Sequence, residues 1–154
     1  MAERQPITEE KALSRLASLC SRSEQAEHDL RRKMTLWLLP DEAQNRVVKR
    51  LRDERYIDDD RYCHAFVREK MRFNRWGRRK IEQALRMKHL PESSIAIAID
   101  EEMDDTQEDT LRSLIESKRR TIKAKSDYDM NAKLIRFALS RGFEMDEVMK
   151  VLGL

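Results

Sequence analysis

The sequence predicts an all-α protein made of three tandem three-helix repeats in an elongated, curved array. Three observations carry that reading. The chain is 40% hydrophobic and 40% charged, with only 3 Gly and 3 Pro in 154 residues. That charged share is well above the usual quarter, as expected for helices with narrow apolar stripes and long charged outer faces. Apolar residues recur at helical spacing and not in the strict alternation of a strand, and they are too regular for a disordered chain. Finally, the pattern repeats. Lys33, Lys88 and Arg141 close their middle helices at spacings of 55 and 53 residues, and Pro91, Ile95 and Ile99 match Glu144, Val148 and Leu152 at an offset of 53. A unit of about 50 residues is marginal alone, so neighbouring units are expected to share interfaces. The expected divisions are residues 8–55, 56–103 and 104–154.

Residues 1–7 read as a loose tail. From Thr8, the positions Ala12, Leu13, Leu16 and Leu19 or Cys20 describe a first helix that closes near Ser21 and Arg22. Ser23 is the expected N-cap of the second, with Ser21 and Glu24 as a competing capping box. That helix runs through Ala26, Leu30 and Met34 toward Trp37. Pro40, Asp41 and Glu42 open a third, with Val47, Val48 and Leu51 inward.

Tyr56, Ile57 and Asp58–Asp60 are the clearest punctuation: an apolar pair, an Asp N-cap and acids in a first turn. Tyr62, Phe66 and Val67 face inward from the fourth helix. The fifth is centred on residues 76–90, where Gly77 marks a break or start and Ile81, Ala84, Leu85 and Lys88 share one face. Arg79, Gln83 and Arg86 take the opposite face. Pro91 opens a short sixth helix with Ile95, Ala98 and Ile99 inside. The seventh is expected to start after Asp104 and Asp105, run through Leu111, Leu114, Ile115 and Ile122, and end around Lys125 and Ser126. Asp127 or Asp129 should cap the eighth, which carries Leu134, Ile135, Ala138 and Leu139. Gly142 ends it, with Phe143 as the apolar contact of a Schellman stop. Met145, Val148, Met149 and Leu152 belong to the ninth.

Charge is distributed in blocks that the net value of +3 conceals. Residues 61–90 hold ten Lys/Arg against two acids, residues 91–110 hold eight acids and no Lys/Arg, and residues 111–125 hold six Lys/Arg against one acid. Such blocks create strong local fields.

Enzyme chemistry finds no footing in the pattern. Glycines stand only at 77, 142 and 153, which leaves no phosphate-cradling loop or dinucleotide fingerprint. His28, His64 and His89 look isolated, with His28 on a charged surface and no metal-ligand spacing anywhere. The acids over 100–105 lack the glycine and ligand order of a calcium loop. No serine or cysteine has an identifiable base partner. The expectation is a non-enzyme without cofactor or metal. Cys20 and Cys63 read as small packing residues, and the N-terminus has no apolar signal core. The sequence thus predicts a cytoplasmic, monomeric protein without a membrane span.

At this point a family resemblance appears. Arg22, Ser23 and Glu24, leading to Asp29-Leu30-Arg31-Arg32-Lys33-Met34, resemble the first signature of the RecX family of RecA regulators. Residues 56–62, YIDDDRY, resemble its "GYLDD-x-RF" segment, with Arg55 where glycine is common. Residues 77–88 resemble "G-x-x-R-I-x-x-E-L-x-x-K-G-I", with Ala84 in place of the glutamate and His89 in place of the glycine after Lys88. At His89 no left-handed glycine cap is expected, so the helix end should tighten or shorten. Phe137 with Arg141-Gly142-Phe143 resembles the closing "F-L-x-x-R-G-F". The resemblance implies three three-helix repeats that bind in the groove of the RecA–DNA filament. It also implies inhibition of RecA's ATPase, coprotease and recombinase activities, and contact with single- or double-stranded DNA.

Against that expectation the candidate contacts are Arg68, Arg72 and Arg75, read as one helical stripe, then Arg78, Arg79, Lys80, Arg86 and Lys88. A second group is Lys118, Arg119, Arg120, Lys123 and Lys125. Only Glu69 and Glu82 lie among the first group, so local pairing should be incomplete. Trp76 and Tyr56 read as packing residues. Two other classes compete: a helix-turn-helix DNA-binding protein, and a helical-repeat adaptor without a nucleic-acid role.

Overall fold

The computed structural model describes residues 5–154. Among them are nine helices and no strand: α1 (Glu9–Arg22), α2 (Glu27–Leu36), α3 (Asp41–Asp53), α4 (Asp59–Arg72), α5 (Arg78–Met87), α6 (Glu92–Glu102), α7 (Gln107–Arg119), α8 (Asp127–Ser140) and α9 (Met145–Leu152). The main helix packing falls inside successive triplets, with the outer two helices of each triplet in contact (α1 on α3, α4 on α6, α7 on α9). Three separate apolar clusters result. Leu16, Leu30, Met34 and Leu51 centre the first, Cys63, Val67, Ile81 and Leu85 the second, and Leu111, Leu134, Phe143 and Val148 the third. The accessible surface of 10314 Å² exceeds the about 8,200 Å² expected for a compact monomer of this mass. The molecule is an extended helical-repeat array.

The same stop closes the middle helix of every repeat. Leu38, His89 and Gly142 take left-handed φ values of 62°, 58° and 96°. The next residue, Leu39, Leu90 or Phe143, returns its N–H to the carbonyl five residues back, on Met34, Leu85 or Ala138, and buries its side chain. This is the Schellman arrangement. It was expected at Gly142 and not at His89. The apolar contact of Leu90 holds His89 in a conformation that costs an L-residue about 1–2 kcal/mol. The stop also corrects the repeat register. The C-caps are Trp37, Lys88 and Arg141, because α2 continues past Lys33 to Leu36, and the spacings become 51 and 53.

Other ends differ from expectation for local reasons. Ser23 closes α1 instead of capping α2, whose N-cap is Ala26. Ala26 is 1% exposed and packs into the second cluster, so packing fixes that start. α7 ends at Arg119, short of the expected 125–126. Thr121 N–H and its hydroxyl both turn back to the Lys118 carbonyl, and Lys133 Nζ donates to the Lys123 carbonyl. Residues 120–126 therefore leave the helix axis, while Ile122 still reaches the third cluster. Ser126, not Asp127 or Asp129, caps α8 by accepting from Asp129 N–H at 3.1 Å. Of the expected tail, Ile7 is tied down through its N–H to the Trp37 carbonyl, and residues 1–4 lie outside the described residues. Thr8 and Asp58 cap α1 and α4 with their side chains.

Candidate filament and nucleic-acid interface

Three positive residues, Arg78, Arg79 and Lys80, form the first turn of α5, and that turn has no acid. A helix N-terminus carries partial positive charge, so this placement is unfavourable in isolation. The third repeat compensates it. Gly77 N–H donates to the Arg141 carbonyl at 2.7 Å and Arg79 N–H to the Gly142 carbonyl at 3.0 Å. Lys80 Nζ donates to the Ser140 carbonyl at 3.3 Å. The negative end of α8 thus caps the positive end of α5. The approach is close enough to require glycine on both sides. A Cβ on Gly77 would lie 2.5 Å from the Gly142 carbonyl carbon, and one on Gly142 would lie 2.4 Å from Lys80 Cβ.

Aromatic rings continue this seam outward. Trp76 lies between Lys70 and Lys80, whose ammonium groups sit 5.0 and 4.6 Å from its centroid. Phe66 meets Trp76 edge-on at 6.5 Å. Across the seam, Phe137 carries Lys118 at 5.1 Å and Arg141 at 5.2 Å. Lys80 and Lys118, which the sequence assigns to two basic groups, therefore flank one junction. Lys70 and Arg141 were missed by the sequence reading. Their signal was present as an aromatic four residues earlier, at Phe66 and Phe137, the spacing of helical neighbours.

The remaining candidates divide by pairing. Arg68 grips Glu102 with two bonds of 3.0 and 2.8 Å. The Arg68 bond, opposed by burial and aided by His64, holds the Glu102 carboxyl below its ordinary range. Arg78 binds Glu82 at 2.6 Å and also feels Asp100 and Glu144. Arg86 binds Glu92 at 2.7 Å and Glu82 at 3.6 Å. Lys88 reaches Asp29 of the first repeat at 2.6 Å. Pairing is thus wider than Glu69 and Glu82 allowed, because helix packing brings in carboxylates remote in sequence. Among the described residues, the charged groups of Arg72, Arg75 and Arg79, and of Arg119, Arg120, Lys123 and Lys125, make no ion pair within 4.0 Å, and all seven residues are exposed; the backbone N–H of Lys125 donates to the Asp129 carboxylate at 3.1 Å. Arg75 does not continue the Arg68 and Arg72 stripe. α4 ends at Arg72, and Arg75 occupies a left-handed turn with φ 54°.

The histidines are not isolated. His64 contacts Glu101 and Glu102 at 3.2 and 3.1 Å at the end of α6, where Arg68 also binds Glu102. The His28 and His89 rings lie 4.7 Å apart across the first seam. There Arg52 bridges Glu27 and Asp59 at 2.9 and 3.1 Å, and Arg61 pairs with Glu24. Burial drives the Cys63 thiol up to about 12, so it is a packing group and not a nucleophile. No described helix is long and apolar enough to cross a membrane. A helix-turn-helix reading meets an obstacle at α5, since the carbonyls of Arg141 and Gly142 cover the backbone of its first turn.

Residues 58–99 match the family model for the second three-helix domain of RecX, and residues 105–152 match the model for the third. The chain belongs to the RecX family. It is 33% identical over 135 residues to a regulatory protein RecX from Vibrio campbellii, covering 88% of this chain and 85% of that one. A regulatory protein RecX from Clostridium perfringens is 27% identical over 122 residues, or 78% of this chain and 57% of that longer protein. The fold is shared with a crystal structure of a regulatory protein RecX at a TM-score of 0.86 and 24% identity, over 95% of this chain and 73% of that one. Both family matches lie on the two repeats that form the glycine seam.

Proposed function

We propose that this RecX-family chain is a non-enzymatic regulator that binds the RecA–DNA filament. Through that contact it inhibits RecA's ATPase, coprotease and recombinase activities, and so modulates recombinational repair and the SOS response. The observation that carries this reading is the unpaired basic surface beside the glycine seam. Arg72, Arg75 and Arg79 make no ion pair among the described residues, Arg72 only feeling Asp104 at longer range, while Arg68, Arg78, Arg86 and Lys88 are neutralised within the protein. Unpaired guanidinium groups on an extended body suit a long anionic target, and they carry no desolvated partner that binding would have to break. Arg119, Arg120, Lys123 and Lys125 extend the same charge on the third repeat. The units that act are residues 8–55, 56–103 and 104–154, in a cytoplasmic monomer lying in the filament groove, with single- and double-stranded DNA as further contacts.

The test is RecA ATP hydrolysis on single-stranded DNA with the purified chain titrated in. Hydrolysis should slow at concentrations well below that of RecA, while the chain alone hydrolyses nothing. Full RecA activity at equimolar protein would end the regulator reading, and intrinsic ATPase activity would end its non-enzymatic part.

A further inference from the structure

Phe73 is 83% exposed, and Tyr128, at 86%, is the one large apolar side chain more exposed among the described residues. Phe73 joins none of the three apolar clusters, so the fold makes no use of its ring. Tyr128 stands between Asp127 and Asp129, carboxylates that would repel a phosphate. The neighbours of Phe73 are of the opposite kind. Arg72 precedes it and Asn74 and Arg75 follow, all exposed, and no described carboxylate lies within 4.0 Å of either arginine.

The backbone holds this tip in place. Phe73 N–H closes α4 onto the Glu69 carbonyl at 2.9 Å, and Trp76 N–H returns to the Lys70 carbonyl at 3.1 Å. Between them Arg75 turns through the left-handed region. An aromatic ring is thereby presented to solvent between two exposed arginines of the chain, Arg72 and Arg75.

We propose that Phe73 stacks on an unpaired base of single-stranded DNA while Arg72 and Arg75 meet the phosphates on either side of it. This deepens the filament reading and rests on it. The chemistry favours a single strand. A ring can stack on any unpaired base, each of which has a free face, whereas a duplex would first have to be unstacked. Arg72 and Arg75 alone would serve either form of DNA, so the ring is what distinguishes them.

The experiment measures binding of the full chain to a fluorescent oligo(dT) and to a blunt duplex, at low and moderate salt. RecA ATPase inhibition is measured in parallel on the same variants. Phe73→Ala should weaken oligo(dT) binding about five- to a hundredfold and leave duplex binding and the salt dependence of both unchanged. Phe73→Trp should restore single-strand binding, and Phe73→Leu should not. Arg72→Gln should instead lower the single-strand salt slope by about 0.7. Because the ring is exposed, the melting temperature should hold in every variant. Unchanged oligo(dT) binding by Phe73→Ala, equal loss on duplex, or rescue by leucine overturns the proposal. If Phe73→Ala binds oligo(dT) normally yet fails to inhibit RecA, the ring meets protein: the stacking proposal falls and the regulator reading stands. If the wild-type chain binds oligo(dT) through Phe73 without slowing RecA, the regulator reading falls and the stacking site stands.

Discussion

Between the first and second repeats the middle helices meet through side chains, whereas between the second and third they meet through backbone. Both seams set the closing end of one middle helix (α5, then α8) against the opening end of the one before it (α2, then α5). The first does so with ion pairs and a histidine pair: Lys88 to Asp29, Arg52 to Glu27 and Asp59, His28 against His89. The second does so with two glycines and direct N–H to carbonyl bonds. One junction is therefore held by ion pairs that salt screens, and the other by steric fit of backbone. The steric junction lies beside the unpaired arginines, so repeat orientation fixes how they are spaced against the third repeat.

The largest effect that could break this comparison is at Gly142. Gly142→Ala adds a clash with Lys80 to a left-handed penalty and should cost about 2–4 kcal/mol in urea denaturation, independent of salt. Gly77→Ala meets the clash alone, its φ of −80° being ordinary, and should cost about 1–3 kcal/mol. If both alanines are tolerated, the seam is looser than its geometry implies. At the first seam, Lys88→Met removes a bond whose partners are 29% and 31% exposed and should cost about 1–2 kcal/mol. That loss should shrink in high salt, and a salt-independent loss would assign it to packing of the lysine stem.

A smaller change isolates the cost of the left-handed stop from that of close approach. Leu38 occupies the same position as Gly142 but belongs to the first repeat and is 47% exposed. Leu38→Gly should stabilise by about 1 kcal/mol, since relief of φ strain outweighs added unfolded-state freedom. A loss would show that the exposed leucine packs more than it strains.

The smallest effect separates the seams by pH. At Glu27, burial pushes the carboxyl up, but bonds from Arg31 and Arg52 outweigh it and leave it below its ordinary 4.5. A lowered folded value means stability that is present above about pH 4.5 and lost as pH falls through the folded value. Lys88 is raised above 10.5: burial lowers it, and Asp29 and Tyr62 more than offset that. Its contribution is present below 10.5 and lost as pH rises through the folded value. At the second seam Glu147 is raised, first by burial and then by Glu144 and Asp146. Its sign is reversed, favouring the fold in acid and losing that contribution as pH rises. Amide exchange should therefore show acid opening α2 before the Gly77 and Arg79 amides. Simultaneous opening would mean that the seams are coupled.

The fold was legible because apolar periodicity and the stop at Gly142 and Phe143 are local signals, whereas the same stop at Leu38 and His89 has no glycine to announce it. The buried residues Val47, Val48, Ile81, Leu85, Ile95 and Val148 all lay on predicted inner faces. Boundaries failed where tertiary packing outvoted a local cap, as at Ala26, or where a periodic residue, Ile122, sat beyond the helix that it matched. The family was legible from ordered motifs. The sorting of basic residues into paired and free was not, because the acids that neutralise Arg68 and Lys88 lie 34 and 59 residues away in the chain. Gly77 read as a break or a start, and it is the N-cap of α5. Its close approach to Gly142 is a fact about two repeats, which no local pattern contains.

The central claim is that the unpaired arginines beside the steric seam act on the filament. It is tested most directly by inhibition of RecA ATP hydrolysis with Arg72, Arg75 and Arg79 all reversed to Glu. Since none has a partner to lose, surface changes of this kind are worth about 0.5 kcal/mol or less each. The melting temperature should stay within a few degrees. The account predicts a folded protein that has lost most of its inhibition. A triple variant that inhibits as well as the wild type would contradict it and move the contact to Arg119, Arg120, Lys123 and Lys125.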